Sequence, residues 1–449
     1  MTLLKRLVAA VAFACLFIVQ PVYAQTILRD AETDALFADM TRPIIEAAGM
    51  SPKNVKVVIL QDPEINAFVA GGQTVYINSG LIEAATDANQ VQGVFAHELG
   101  HIVGGHAPLS SRMGKSATGI TIASLLLGAI AAAAGSGDAA MGAILAGQRA
   151  AMGSVLAYSR TQEASADAAG ASFLTKAHVS GKGMLDFFKT LQNQEYRLAI
   201  PQTDSFNRSH PLTGDRIAAL SQTLQSAPDY GKATNPDLEK RFELVKAKLA
   251  GYVEPFNSVL REYPTSNSSL PAHYARAYAY HRSGYPAQAL AEAAALVQAE
   301  PKNPYFLEVQ GQIIMEGGNP AAALDPLRRA TALSDNSPLI ATTFGHALVA
   351  TDDPDHLDEA EAVLRQAVQR DDENPFAWVQ LGTVYERRGD EVHAALAKAE
   401  LSSLTGDTQM ALISAKRAMQ GLPEGSSDWL RAQDIQMVSQ NELRDKKRH

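Results

Sequence analysis

The stretch His97-Glu98-Leu99-Gly100-His101, running on through Ile102-Val103-Gly104-Gly105-His106, decides how the rest of this 449-residue chain is read. Two imidazoles at i and i+4 stand one helical turn apart on the same face, where both can reach one tetrahedral metal ion. Glu98 lies beside that face and can take a proton from a water held there, then return it to a leaving amine. The flanks read as helix from Thr86 to His106. Asp87 and Gln90 have capping-box spacing, Val91, Phe95 and Ile102 recur on one face, and Gly104-Gly105 ends the run. The implied chemistry is hydrolysis assisted by zinc, with one Zn2+ per chain.

Zinc needs a third protein ligand. The metzincin pattern HExxHxxGxxH is approached at Gly104, but it requires histidine at position 107, which is Ala107, so His106 falls one residue short. A second helix, expected from Ser154 to Lys176, offers a better candidate in Tyr158-Ser-Arg-Thr-Gln-Glu-Ala-Ser-Ala-Asp167. Glu163 and Asp167 share a face there at i and i+4, and Ala164, Ala166, Ala168 and Gly170 are small enough for close approach to the first helix. Glu163 completes a two-histidine, one-carboxylate site, and Asp167 holds a ligand imidazole in its tautomer from behind.

Upstream, Glu32 to Ala48 reads as a helix. Val55–Leu60 and the alternating Gln73-Thr-Val-Tyr-Ile-Asn78 read as strands, with Ala70-Gly71-Gly72 as the turn of a small sheet. Downstream, the apolar stretch from Gly119 to Ala134 falls below the roughly 20 residues of a bilayer span, so a buried helical hairpin closed by Gly135-Ser-Gly-Asp138 is expected, with peripheral membrane association left open. The polar run Ser221–Pro236 reads as a domain boundary. Beyond it, Ala287-Gln-Ala-Leu290 recurs as Ala321-Ala-Ala-Leu324, Gly284 as Gly318 and Pro286 as Pro320, all at an offset near 34 residues. That is the period of tetratricopeptide repeats, helical pairs that stack because no pair buries its own apolar face. Less regular copies follow at Glu359–Ala367 and Leu381–Leu396, and a degenerate one at Asp407–Met419.

Lys5 and Arg6, the apolar run Leu7–Val19 and Val22-Tyr23-Ala24 read as a signal peptide over residues 1–24. An uncleaved anchor is disfavoured because the run is short. The one cysteine, Cys15, leaves with the leader, so neither disulfides nor a thiolate cluster hold the mature chain. A net charge of -9 argues against nucleic acid as a partner. His178, His273, His281, His346, His356 and His393 lack ligand spacing.

Four ordered motifs resemble the M48 peptidases: the HExxH helix, Tyr158-Ser-Arg-x-x-Glu163-x-x-x-Asp167, Ile65-Asn-Ala-Phe68 with Gly71-Gly72, and Ser209-His-Pro-Leu-Thr-Gly-Asp-Arg-Ile217. The likeness is strongest to the soluble periplasmic members that carry a C-terminal repeat domain. It implies a mainly α protein: a zincin-type α+β metallopeptidase domain over 25–228, a linker with the first repeat-domain helices over 229–262, an all-α tetratricopeptide solenoid over 263–440, and a basic tail over 441–449. It also implies His97, His101 and Glu163 as zinc ligands, Glu98 as general base and Asn66 as a substrate-positioning residue, with Gln73–Asn78 as the edge that a peptide strand joins. His210, in a polar loop before Pro211, can stabilise the oxyanion or close the fourth zinc position. Val69-Ala70 stands where the family commonly has proline, which bears on the hairpin tip. The implied activity is an endopeptidase of the Gram-negative periplasm acting on unfolded or misassembled envelope proteins. The repeat groove would dock it to substrate or to the outer-membrane β-barrel assembly machinery. The rival expectation is a chaperone or scaffold with latent peptidase activity.

Overall fold

The computed structural model describes residues 26–106, 145, 159–198 and 210–446. The expected leader, the Gly119–Ala134 stretch, the start of the Ser154–Lys176 helix and the end of the basic tail lie outside them. No helix among the described residues is long and apolar enough to cross a membrane. The chain forms two compact units, one of Met1–Leu28 with Thr41–Ala233 and one of Arg29–Met40 with Thr234–His449.

In the first unit, β1 (Thr26–Leu28) pairs antiparallel with β2 (Lys56–Gln61). β2 pairs in parallel with β4 (Thr74–Asn78), and β4 pairs antiparallel with β3 (Ala67–Ala70), giving the order β1-β2-β4-β3. The β3–β4 hairpin turns on Gly71 and Gly72 at φ +62° and +96°, a backbone that glycine adopts without a Cβ penalty. The expectation that Gln73–Asn78 is an edge is corrected here. The chain crosses over after β2, so β4 is hydrogen-bonded on both sides, and among the described residues the edge strand of the hairpin is β3.

The motif helix, Ala88–Val103, is buried at every position from Ala88 to His101, as befits a helix that packs on all sides. Asp87 caps it by accepting from the Gln90 backbone N–H at 2.9 Å, while the Gln90 side chain accepts from Thr86 N at 3.0 Å. Close packing is set by glycines. A Cβ at Gly93 would meet Met184 of the helix Lys182–Leu198 at 2.4 Å, and one at Gly100 would meet the Ala166 carbonyl oxygen at 2.6 Å. Ala166 lies in the helix that spans residues 159–176, so the small residues of that stretch do bring the two helices into backbone contact.

The second unit is a succession of helical pairs. Helices Pro286–Ala299 and Pro320–Leu333 begin at matching prolines, and Gly284 and Gly318 take left-handed φ values of +79° and +90° just before them. The next copy hides its turn: Asp352 holds the same conformation at φ +59°, and Pro354 opens a short 3-10 turn (Pro354–His356) before the helix Leu357–Arg370. That insertion breaks the register seen in the sequence. Arg29–Met40 belongs to this unit and contacts several of its helical pairs. Ala31 joins a cluster with Leu307, Ala330 and Ile340, Arg29 pairs with Asp371 at 2.7 Å, and Asp39 pairs with Arg241 at 2.8 Å. Between them the buried Lys248 ammonium bonds Asp30, lies 3.4 Å from Glu32, and sits over the Tyr274 ring at 5.4 Å. The Tyr274 hydroxyl donates to Glu32 at 2.7 Å.

Candidate metal centre

His97 and His101 leave the motif helix one turn apart, Glu163 comes from the 159–176 helix, and His210 stands ahead of the helix Gly214–Gln225. All four are buried, and one donor atom from each lies within 4.8 Å of the others. His97 Nε2 is 3.1 Å from His101 Nε2, 3.2 Å from His210 Nδ1 and 3.4 Å from Glu163 Oε2. His101 Nε2 is 3.4 Å from Glu163 Oε1, and His210 Nδ1 is 3.1 Å from Glu163 Oε2. Four donors bound at about 2.0–2.1 Å around a tetrahedral zinc are separated by about 3.3 Å. The donor set therefore has the size and chemistry of a closed tetrahedral site.

The outer nitrogens fix this arrangement. His97 Nδ1 lies 3.0 Å from Asp167 Oδ1, which turns its Nε2 toward the centre, and the ring packs edge-on against Phe188 at 5.5 Å. Arg216, itself buried, donates to both Asp167 oxygens at 2.8 and 2.9 Å and to the Pro211 carbonyl at 2.7 Å, and lies 3.1 Å from Glu163. One guanidinium thus ties Glu163, the Asp167 carboxylate beside His97 and the His210 loop together.

The charges follow from this geometry. Burial disfavours a charged His97, but its hydrogen bonds to Asp167 and Glu163 outweigh that and raise its pKa to about 10. Burial and the charge on His97 push His101 down to about 2. Burial also opposes ionisation of Glu163, yet hydrogen bonds from His210 and His97 hold it far below the carboxylate range. Glu98 differs: burial raises its pKa, and among the described residues neither carboxylate oxygen has a hydrogen-bond partner, with His210 Nε2 at 3.5 Å. A buried carboxylate without a donor is costly, and it fits a residue whose partner is a water at the centre.

Residues 30–224 match the model of peptidase family M48. That stretch is an M48 metallopeptidase domain, of which residues 41–224 lie in the first unit. Over 362 residues the chain is 24% identical to the beta-barrel assembly-enhancing protease of Escherichia coli, covering 79% of this chain and 72% of that protein. It is 28% identical to a putative beta-barrel assembly-enhancing protease of Vibrio cholerae over 51% of this chain, but spans only 46% of that relative's length. The metalloprotease YcaL of Escherichia coli is 30% identical over 39% of this chain and 64% of its own.

Within the M48 domain, five residues singled out from the sequence, His97, Glu98, His101, Glu163 and His210, converge on one point, with Asp167 behind His97. Asn66 does not join them among the described contacts; it precedes β3, and its carbonyl accepts from Asn78 N at 3.0 Å. Two contributors escaped the sequence reading. Arg216 sits in the quoted Gly214-Asp-Arg-Ile217 run, but its pairing with Asp167 crosses 49 residues. His106 misses the metzincin ligand position by one residue, yet its Nδ1 lies 2.8 Å from His101 Nδ1.

Proposed function

We propose that this chain is a zinc-dependent endopeptidase of the Gram-negative periplasm that degrades misfolded or stalled envelope proteins, outer-membrane β-barrel precursors among them. The observation that carries the reading is the four-donor cluster beside a buried Glu98 that has no hydrogen-bond partner among the described residues. The names of the relatives and the leader-like residues 1–24 support the compartment and the substrate class, and the helical repeats are suited to holding protein, whether substrate or assembly machinery.

His97, His101 and Glu163 would hold the ion, which when bound polarises the scissile carbonyl and acidifies a water. Glu98 would take a proton from the attacking water and deliver it to the leaving amine. Asp167 and Arg216 keep His97 and Glu163 aimed without taking part in proton transfer. An extended substrate adds to the β3 edge, so backbone more than side chains is read and sequence tolerance is broad.

His210 Nδ1 stands where a fourth ligand belongs, which favours a resting enzyme closed by its own histidine until substrate or a partner moves the loop. The same observation favours a second reading in which chaperone or scaffold work dominates and proteolysis is latent. His210→Ala is expected to raise basal casein cleavage severalfold. A fall on the order of 10²-fold would assign His210 to oxyanion stabilisation instead. In cells, full restoration of envelope integrity by a Glu98→Gln protein would favour the scaffold reading over the protease.

A further inference from the structure

We propose that His106 is a positioning residue for the metal centre: it accepts the Nδ1–H of His101 and so holds that ring with its Nε2 lone pair toward the ion. The two Nδ1 atoms lie 2.8 Å apart, with the rings at 77° and their centroids 4.9 Å apart. One nitrogen of such a pair must carry the proton and the other the lone pair. Because His101 Nε2 is a ligand in the function proposed above, the His101 proton is on Nδ1, and His106 is the acceptor with its own proton on Nε2. This gives His101 what Asp167 gives His97, a fixed tautomer and a fixed ring angle.

The turn is shaped for that contact. Gly104 ends the motif helix, and a Cβ there would meet the His106 ring at 2.3 Å, so the imidazole occupies space that any other residue would fill. Gly105 takes φ +63°, which folds the chain back over the helix end. His106 is only 8% exposed, and its carbonyl accepts from Gln162 at 3.4 Å, tying the turn to the helix that bears Glu163. The histidine one residue short of the metzincin position is therefore in place for a different task. It supports a ligand from behind.

The test is the Zn2+ dissociation constant of the full chain, measured by chelator competition, for wild type, His106→Leu, His106→Asn and Gly104→Ala. His106→Leu, which fills space but accepts nothing, is expected to weaken zinc binding roughly 10–100-fold. His106→Asn, whose Oδ1 can stand near the Nδ1 position, should recover to within about threefold of wild type. Gly104→Ala should behave like His106→Leu, because it displaces the ring. Wild-type affinity in His106→Leu would overturn the role, and so would equal weakening in the Leu and Asn proteins, which would mark a packing effect. Should His106→Leu fail to fold, the Asn and Gly104→Ala proteins decide on the same comparison. Wild type that takes up no zinc would overturn the metal reading itself, and the two failures are told apart by that first measurement.

Discussion

Glu98→Gln is expected to keep one zinc per chain and to lose casein cleavage by about 10²–10⁴-fold, the usual weight of a positioned general base. The amide has nearly the same shape, so the motif helix, whose residues around position 98 are fully buried, has no reason to repack. It would even relieve a cost, because the native carboxylate is buried with no donor among the described residues. Zinc uptake and thermal stability should therefore hold or improve while turnover disappears. If cleavage survived at wild-type rates, Glu98 would not be the base. If zinc were lost as well, the glutamate would belong to the ligand set.

Lys248→Met should destabilise the helical unit by about 3–5 kcal/mol, because it leaves the buried Glu32 and the half-buried Asp30 without their cation. Burial opposes the Lys248 ammonium, but Asp30 and its neighbours hold the pKa well above the ordinary lysine value, and Asp30 is lowered in turn despite its own burial. Glu32 moves the other way: burial raises it even with Lys248 near. The triple change Asp30→Asn, Glu32→Gln, Lys248→Met should recover part of the loss, since a buried pair replaced whole costs far less than one broken. Denaturant unfolding of the full chain, followed through the helical unit, reads both. A loss below about 1 kcal/mol in the single variant would mean that the ions do not fix Arg29–Met40 in place.

The contrast between these two sites shows what the sequence could carry. The chemistry at the centre was legible because helical spacing alone puts His97 and His101 on one face and Glu163 and Asp167 on another, and because small residues announce close packing. The pairing of Arg216 with Asp167 was not legible, since nothing local distinguishes a buried arginine from a solvated one. Strand order was missed for a similar reason. The alternation in Thr74–Asn78 shows that a strand forms, while its place between β2 and β3 depends on a crossover. The turn keeps its offset of 34 residues from Gly318 to Asp352 and from Pro320 to Pro354, but Asp352 takes the left-handed turn that glycine would have signalled, and the three residues Pro354–His356 precede the next helix, so the later copies fall out of register. The allegiance of Arg29–Met40 to the helical unit rests on contacts more than 200 residues away in the chain, such as Glu32 with Tyr274 at a separation of 242.

The most direct measurement is the zinc content of the purified wild-type chain, taken together with casein cleavage before chelation, after chelation and after zinc is returned. One zinc per chain, with cleavage lost on chelation and restored by one equivalent of zinc, is the predicted result. A chain without zinc, or cleavage that chelation leaves unchanged, would contradict the account and leave a repeat-based binding protein.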